Sequence, residues 1–390
     1  MARTCFVLGR KMWSERRLFV RQVPALVEAG HEVIYMVGDP GKQVTDAFIV
    51  HPVPKRQVRL GRYVGSLNLL SAILRIRPDV VHVTSLELVP LGLVLKMLTG
   101  IRVVYDCIED HPSAMRHHRT QFPEWLAVLM GFGTHVAEYL GDRLFDGLVV
   151  SDPALARLHY AMPRQRKAIF YNTAPLSMFP RDYAPLADRP FDLCVMGSMS
   201  MRTGVKDVVE AVGILKSRGR NTRLMLLGEP DQQVRAVIEN MVRKYDIQEQ
   251  VEITGYIDHA EIPKRLATAK IGVVPLLNMR KFRHNIACKA FEYMACGMPS
   301  ICSDLPPQHV FIQQGRNGLF YEPGNVSQLA DVIESLLANP KRAEEMGRLA
   351  RDDMERQWNT EQSQKELVRF YDNILHMEPR AAGSWKEQTA

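Results

Sequence analysis

Within the stretch RHNIACKAFEYMACGMPSICSD, residues 283–304, two opposite charges, Lys289 and Glu292, stand among alanine, aromatic, methionine and cysteine side chains. Residues three apart lie on one side of a helix, so both charges share a face of an otherwise apolar segment. The run IGVVPLL ahead of them reads as a buried strand. A helix begun near Asn285 would present free backbone N–H groups and a partial positive charge at its first turn. Lys289 would reinforce that anion site. Glu292, one turn on, has the wrong sign for phosphate but accepts hydrogen bonds from sugar hydroxyls. A phosphate beside a ribose describes a nucleotide. A plain Lys–Glu pair at the edge of a core is the competing reading of the same spacing.

The elements that must hold these residues follow one pattern. TCFVLG is an apolar run ending in Gly, RRLFVRQVPALVEAG has helical spacing, and HEVIYMVG is apolar again, giving strand, helix, strand. PDVVHVTS, GIRVVYDC and DGLVVSD continue the alternation, which predicts a parallel sheet covered on both faces. A proline-punctuated stretch (Pro175, Pro180, Pro185, Pro190) interrupts it. FDLCVMG, RLMLLG, VEITGY, IGVVPLL and GLFYEP then restart it, with helical segments between. The expected fold class is therefore α/β, two facing Rossmann-like doubly wound parallel-sheet domains. The boundaries are 1–175 for the first, 176–190 for a linker, 191–375 for the second and 376–390 for a tail. Ligands of such sheets bind at the carboxyl ends of the strands.

Composition bounds the rest. The 390 residues are 46% hydrophobic and 24% charged, as in an ordinary globular protein with two cores. No signal-like pattern opens the chain and no apolar run reaches the roughly 20 residues that span a bilayer, so the expected location is cytoplasmic. Cys5, Cys107, Cys194, Cys288, Cys296 and Cys302 form no C-x-x-C pair, which supports neither a zinc site nor a disulfide framework. The net charge of +7 is uneven: residues 1–180 hold 22 Lys and Arg against 15 Asp and Glu, whereas 181–390 hold 28 of each. Lys55, Arg56, Arg59, Arg62 and Arg75 are interleaved with Leu67, Leu70, Ile73 and Leu74, and Arg116, His117, His118 and Arg119 precede FPEWLAVLMGF. Such stretches suit an anionic membrane face, or else a core-facing helix with a solvated basic side. No nucleic-acid-binding motif accompanies them.

KAFEYMACGMPSICSD closely resembles the donor-site segment K-x-F-E-Y-M-A-x-G-x-P of family 4 glycosyltransferases, the group 1 enzymes of GT-B architecture. The resemblance extends through ERRL with EAGHEV, PDVVH, VVYDCIEDHP, VMGSMSMRTG, VEITGYI, IGVVPL and GLFYEPGN, over nearly the whole chain to about Met377. It implies that Glu292 binds the nucleotide ribose, that Lys289, Asn285 and the amides near Ile286 and Ala287 face the diphosphate, and that Gly197 and Ser198 pack close to the donor phosphates. Two positions depart from the family. His284 stands where many relatives carry a second Glu, and Ser198 and Thr203 stand where Arg and Lys are common, with Arg202 and Lys206 nearby. On the acceptor side His82 matches a family His, while Thr84 and Ser85 replace the rest of H-x-H-D. Asp106 and Glu109 match Y-D-x-H-E-D, with Ile108 in place of its His. Arg17 stands where the family has an Arg after its first strand. His82, Asp106 and Glu109 are the expected catalytic residues.

The resemblance implies transfer of a sugar, with retention, from a UDP- or GDP-linked nucleotide sugar to a glycan or polyprenyl-diphosphate-linked acceptor in envelope or exopolysaccharide synthesis. The chain would act peripherally at the inner membrane face. Cations and helix-terminal N–H groups would stabilise the departing diphosphate. No Asp-x-Asp pair occurs, so no cofactor and no metal are expected. Competing readings are a sugar-nucleotide epimerase of the same architecture and a non-catalytic nucleotide-sugar-binding scaffold subunit.

Overall fold

A computed structural model describes residues 2–8, 17–37, 49–52, 61–117, 123–173, 175–179, 181–284 and 286–380. The chain divides into two compact units, residues 1–171 with 363–390, and residues 172–362.

The first unit is built on a parallel sheet of β1 (Arg3–Val7), β2 (Glu32–Val37), β3 (Ile49–Pro52), β4 (Val80–Val83), β5 (Arg102–Cys107), β6 (Gly147–Val150) and β7 (Lys167–Ile169). Their order is β3-β2-β1-β4-β5-β6-β7. Short β-branched runs form these strands because both faces are covered, so an apolar side chain is buried whichever way it points. The period of two then sorts the side chains. Cys5, Val7, Val81, Val83, Val103, Tyr105 and Cys107 belong to one core cluster, and Phe6, Val80, Val104 and Val149 to another. The edge strand β3 was not legible from its four residues; its Pro52 is tolerated because an edge leaves one side of the ladder open.

The second unit carries β8 (Phe191–Met196), β9 (Leu224–Leu227), β10 (Val251–Ile253), β11 (Ala269–Val274), β12 (Ser300–Ser303) and β13 (Gly318–Tyr321) in the order β10-β9-β8-β11-β12-β13, again all parallel. The α/β doubly wound fold expected from the sequence is thus present in both units.

One boundary differs from expectation. The second domain was expected to run to residue 375, but the helix Thr360–His376 returns to the first unit from about Ser363. Leu367, Phe370, Tyr371 and Ile374 pack in the same cluster as Phe6, Leu18, Val23 and Leu26. Arg102 then donates to the carbonyls of Ile374, Leu375 and Met377 at 3.0–3.1 Å, which satisfies acceptors that a helix end leaves open. The beginning of the expected tail is held as well, with Arg380 donating to the Asp142 carbonyl at 2.6 Å.

Candidate functional site

In the second unit the strand order reverses between β8 and β11, the place where open α/β sheets bind ligands. β8 ends at Met196 and the chain turns at Gly197 with φ +101°, a conformation that L side chains rarely adopt. A Cβ on the neighbouring Gly228 would stand 2.6 Å from the Gly197 carbonyl oxygen, so the turns after β8 and β9 meet through bare backbone. The Lys289 side chain reaches the same turn. Its Cε lies 4.0 Å from where a Gly197 Cβ would be.

The surroundings of the Lys289 ammonium are Cys194, Cys302, Cys288 and Glu292. Burial dominates and lowers its pKa to about 8, with the cysteines and Glu292 pulling weakly the other way. Among the described residues the Lys289 ammonium makes no hydrogen bond and no ion pair. Glu292, half-buried on the same helix face, feels its charge without pairing with it. The spacing of this pair therefore does not serve a Lys–Glu bridge.

The helix itself starts later than the sequence suggested, spanning Lys289–Ala295 with Cys288 as a cap that offers no side-chain bond. Ala290 and Phe291 bond back three residues, to Ala287 and Cys288, so helical bonding begins only there. Ile286 and Ala287 precede the helix, and Asn285, on which the earlier start rested, lies outside the described residues. Seven residues carry little macrodipole, which leaves the Lys289 charge as the larger attraction for an anion. His284 is half-buried and ends the short turn Arg280–Arg283 that leads into this segment.

From Gly197 the loop runs through exposed Ser198 to Gly204, where φ is +64° and the helix Val205–Ser217 begins. The Ser200 amide donates to Thr203 Oγ1 at 3.0 Å, and that hydroxyl donates back to the Ser200 carbonyl at 2.9 Å. Thr203 thus closes the loop on itself instead of offering a charge. Arg202 is exposed at the loop's far end. Lys206 stands 3.8 Å from Asp207, a buried carboxyl whose pKa is raised by burial against the opposing pull of Lys206. The Lys206 charge is therefore partly engaged, unlike that of Lys289.

In the first unit, the sequence-selected His82, Asp106 and Arg17 come together, but inward. His82 on β4 and Asp106 on β5 point to the sheet face covered by the last helix, and neither retains solvent exposure. Asp106 accepts from Arg17 Nη2 at 3.1 Å and from Gln22 Nε2 at 2.8 Å, and lies 3.8 Å from His82 Nε2. His82 Nδ1 is 2.5 Å from Tyr371 Oη, and the ring stacks on Phe6 at 4.4 Å. Arg17, also buried, donates to the Phe170 carbonyl. The structure thus brings together three of the residues selected in the first unit. The alternation along β4 and β5 turns both side chains under a helix, where these contacts hold them. Glu109, in the loop after β5, is the one expected catalytic residue that keeps surface exposure. Gln22 and Tyr371 were missed: nothing near Tyr371 in sequence signals a partner on β4.

Residues 181–353 match the family described as glycosyl transferases, group 1. The chain is 27% identical over 166 residues to an alpha-D-kanosaminyltransferase of Streptomyces kanamyceticus, which is 43% of this chain and 41% of that protein. It is 26% identical over 162 residues to a glycogen synthase of Mycobacterium tuberculosis, 42% of this chain and 37% of that one. The matched stretch thus spans about two fifths of the length of these curated relatives. Among solved structures, sucrose-phosphate synthase from Thermosynechococcus elongatus superposes with a TM-score of 0.74 at 17% identity, covering 96% of this chain and 99% of that one. Anabaena HepE in complex with UDP and glucose gives 0.72 at 12% identity, covering 95% and 100%. At such identities the likeness carries the fold, the GT-B architecture.

Proposed function

We propose, starting from a chain whose residues 181–353 belong to the group 1 glycosyl transferases, that it transfers a sugar from a nucleotide-sugar donor with retention at the anomeric carbon. The observation that carries this is the Lys289 ammonium, poorly solvated, in no ion pair among the described residues, and set against the glycine turn at Gly197. A bound diphosphate would supply the missing anion, and Glu292 would accept hydrogen bonds from the ribose hydroxyls. Arg202 and Lys206 would face the outer phosphate and His284 the donor sugar. The UDP in the HepE complex makes a uridine donor the first candidate, with a guanosine donor second.

Charge grows on the departing diphosphate as the glycosidic bond breaks, and fixed positive charge beside it lowers that barrier. The leaving phosphate oxygen would itself take the acceptor hydroxyl's proton. No Asp-x-Asp pair stands ready to bridge the diphosphate through a metal, so transfer should proceed without added Mg²⁺ or Mn²⁺.

The acceptor is a glycan or a polyprenyl-diphosphate-linked sugar of envelope or exopolysaccharide synthesis, reached at the cytoplasmic membrane face. The helix Glu124–Leu144 supports that placement, because Trp125, Leu129, Phe132 and Val136 recur at helical spacing on its exposed side. Of the basic clusters expected there, Lys55, Arg56, Arg59, His118 and Arg119 lie outside the described residues. In the helix Gly61–Ile76, Leu69 and Ile73 face the core, as the core-facing reading expects, and Arg75 is exposed. Among the described residues no helix is long and apolar enough to cross a membrane.

Incubating the purified chain with a panel of UDP-, GDP- and ADP-sugars, and following the anomeric proton of the released or transferred sugar by NMR, tests the reading. An axial product from an axial donor is expected; an inverted product contradicts retention. The burial of His82 and Asp106 also favours a second reading, a nucleotide-sugar-binding scaffold subunit. Tight nucleotide binding with neither transfer nor donor hydrolysis would select it.

A further inference from the structure

On the face of β5 opposite to Asp106, the chain assembles a second polar cluster that the proposed reaction does not use. Cys107 is the last residue of β5, His111 opens the helix His111–His117, and Glu138 projects from the helix Glu124–Leu144. Cys107 and Glu138 are buried and His111 nearly so, with 12% of its side chain exposed. The three donor atoms converge: Cys107 Sγ to His111 Nδ1 is 3.7 Å, Cys107 Sγ to Glu138 Oε1 is 3.9 Å, and His111 Nδ1 to Glu138 Oε1 is 3.0 Å. Around a tetrahedral zinc with bonds of about 2.0–2.3 Å, ligand atoms stand about 3.3–3.7 Å from one another. The observed edges, 3.0, 3.7 and 3.9 Å, bracket that range, so small side-chain shifts would seat the ion.

Hydrogen bonding alone accounts poorly for the convergence. The His111 Nδ1 atom carries either one proton or one lone pair, yet Cys107 Sγ, Glu138 Oε1 and Tyr105 Oη (3.2 Å) all approach it. The surroundings look like the outer layer of a metal site. Tyr105 donates to Glu138 Oε1 at 3.0 Å and so fixes that carboxylate from behind.

We propose that Cys107 Sγ, His111 Nδ1 and Glu138 Oε1 bind a divalent transition-metal ion of the zinc class. One thiolate with imidazole and carboxylate partners suits zinc better than magnesium or calcium, which take oxygen ligands. The ion ties the end of β5 to the helices His111–His117 and Glu124–Leu144. Its ligands belong to the first unit, whereas Lys289 and Glu292 belong to the second. The absence of a C-x-x-C pair concealed it, because two of its ligands are His and Glu and one comes from a distant helix.

The test uses the full chain without an affinity tag, since tags chelate metal. Mass spectrometry of the dialysed protein should find about one zinc per chain, and cobalt substitution should give a sulfur-to-cobalt charge-transfer band. Zinc returned to metal-depleted protein should raise its melting temperature. Cys107→Ser and Glu138→Gln should lose the metal, and Cys194→Ser should keep it. If Cys107→Ser fails to fold, the cobalt spectrum of the wild-type chain decides. No retained metal together with no zinc effect on melting, a cobalt spectrum without the sulfur band, or full retention in folded Cys107→Ser would each overturn the assignment.

Discussion

Tyr371 Oη and His82 Nδ1 lie 2.5 Å apart although 289 residues separate them in sequence. The bond joins the last helix to β4, beside an Asp106 held by Arg17 and Gln22. Tyr371→Phe would leave a buried imidazole nitrogen without its partner, at a cost of about 1–3 kcal/mol. Urea denaturation should show that loss while turnover per folded molecule stays within about twofold. A turnover defect with unchanged stability would return His82 to the chemistry.

Nucleotide affinity should fall as pH rises through about 8, the lowered pKa of Lys289, because the anion requires the protonated ammonium. The stability term has the opposite sign. Between about 8 and the ordinary lysine value of about 10.4 the unfolded chain holds the proton that the folded chain has lost, so stability gains from this group as pH rises. Titrating UDP across that range should give a break near pH 8 in the wild type and none in Lys289→Arg, whose guanidinium stays charged. A flat wild-type profile would remove Lys289 from the phosphate.

His284 occupies the segment between the turn Arg280–Arg283 and Lys289. If it lies against the donor sugar, His284→Glu should change the ranking of sugar nucleotides while leaving affinity for the bare nucleotide within about threefold. An unaltered ranking would place the residue outside the pocket.

Vesicle binding should depend on the apolar side of the helix Glu124–Leu144. Replacing exposed Trp125 and Phe132 together by Ser should weaken sedimentation with anionic vesicles at least about tenfold, since each side chain contributes roughly 1.5–3 kcal/mol when taken out of water. Salt should weaken it further by screening the basic first half over roughly 8–10 Å. Equal binding to neutral and anionic vesicles, or none to either, would remove the membrane from the account.

The sheets were legible because buried parallel strands are apolar on both faces, and FDLCVM or RVVYDC reads as such without knowledge of its neighbours. The Gly197 turn and Lys289 were legible for a similar reason: each follows directly from the strand or helix that presents it. What the sequence did not carry was the direction of side chains relative to distant elements. His82 and Asp106 have the residue types of an active site, and only the return of the last helix shows that they face Tyr371. Cys107 and Glu138 are 31 residues apart and belong to different elements, so no local spacing relates them.

Isothermal titration of UDP and a UDP-sugar into the wild-type chain, Lys289→Ala and Glu292→Ala most directly tests whether this helix is the nucleotide site. Each substitution should weaken binding at least about tenfold, as loss of a charge-assisted hydrogen bond costs about 1.5–3 kcal/mol, with melting of the free protein little changed. GDP and GDP-sugar titrations run alongside identify the base. Wild-type affinity in both folded variants, or no nucleotide binding by the wild type, would contradict the account.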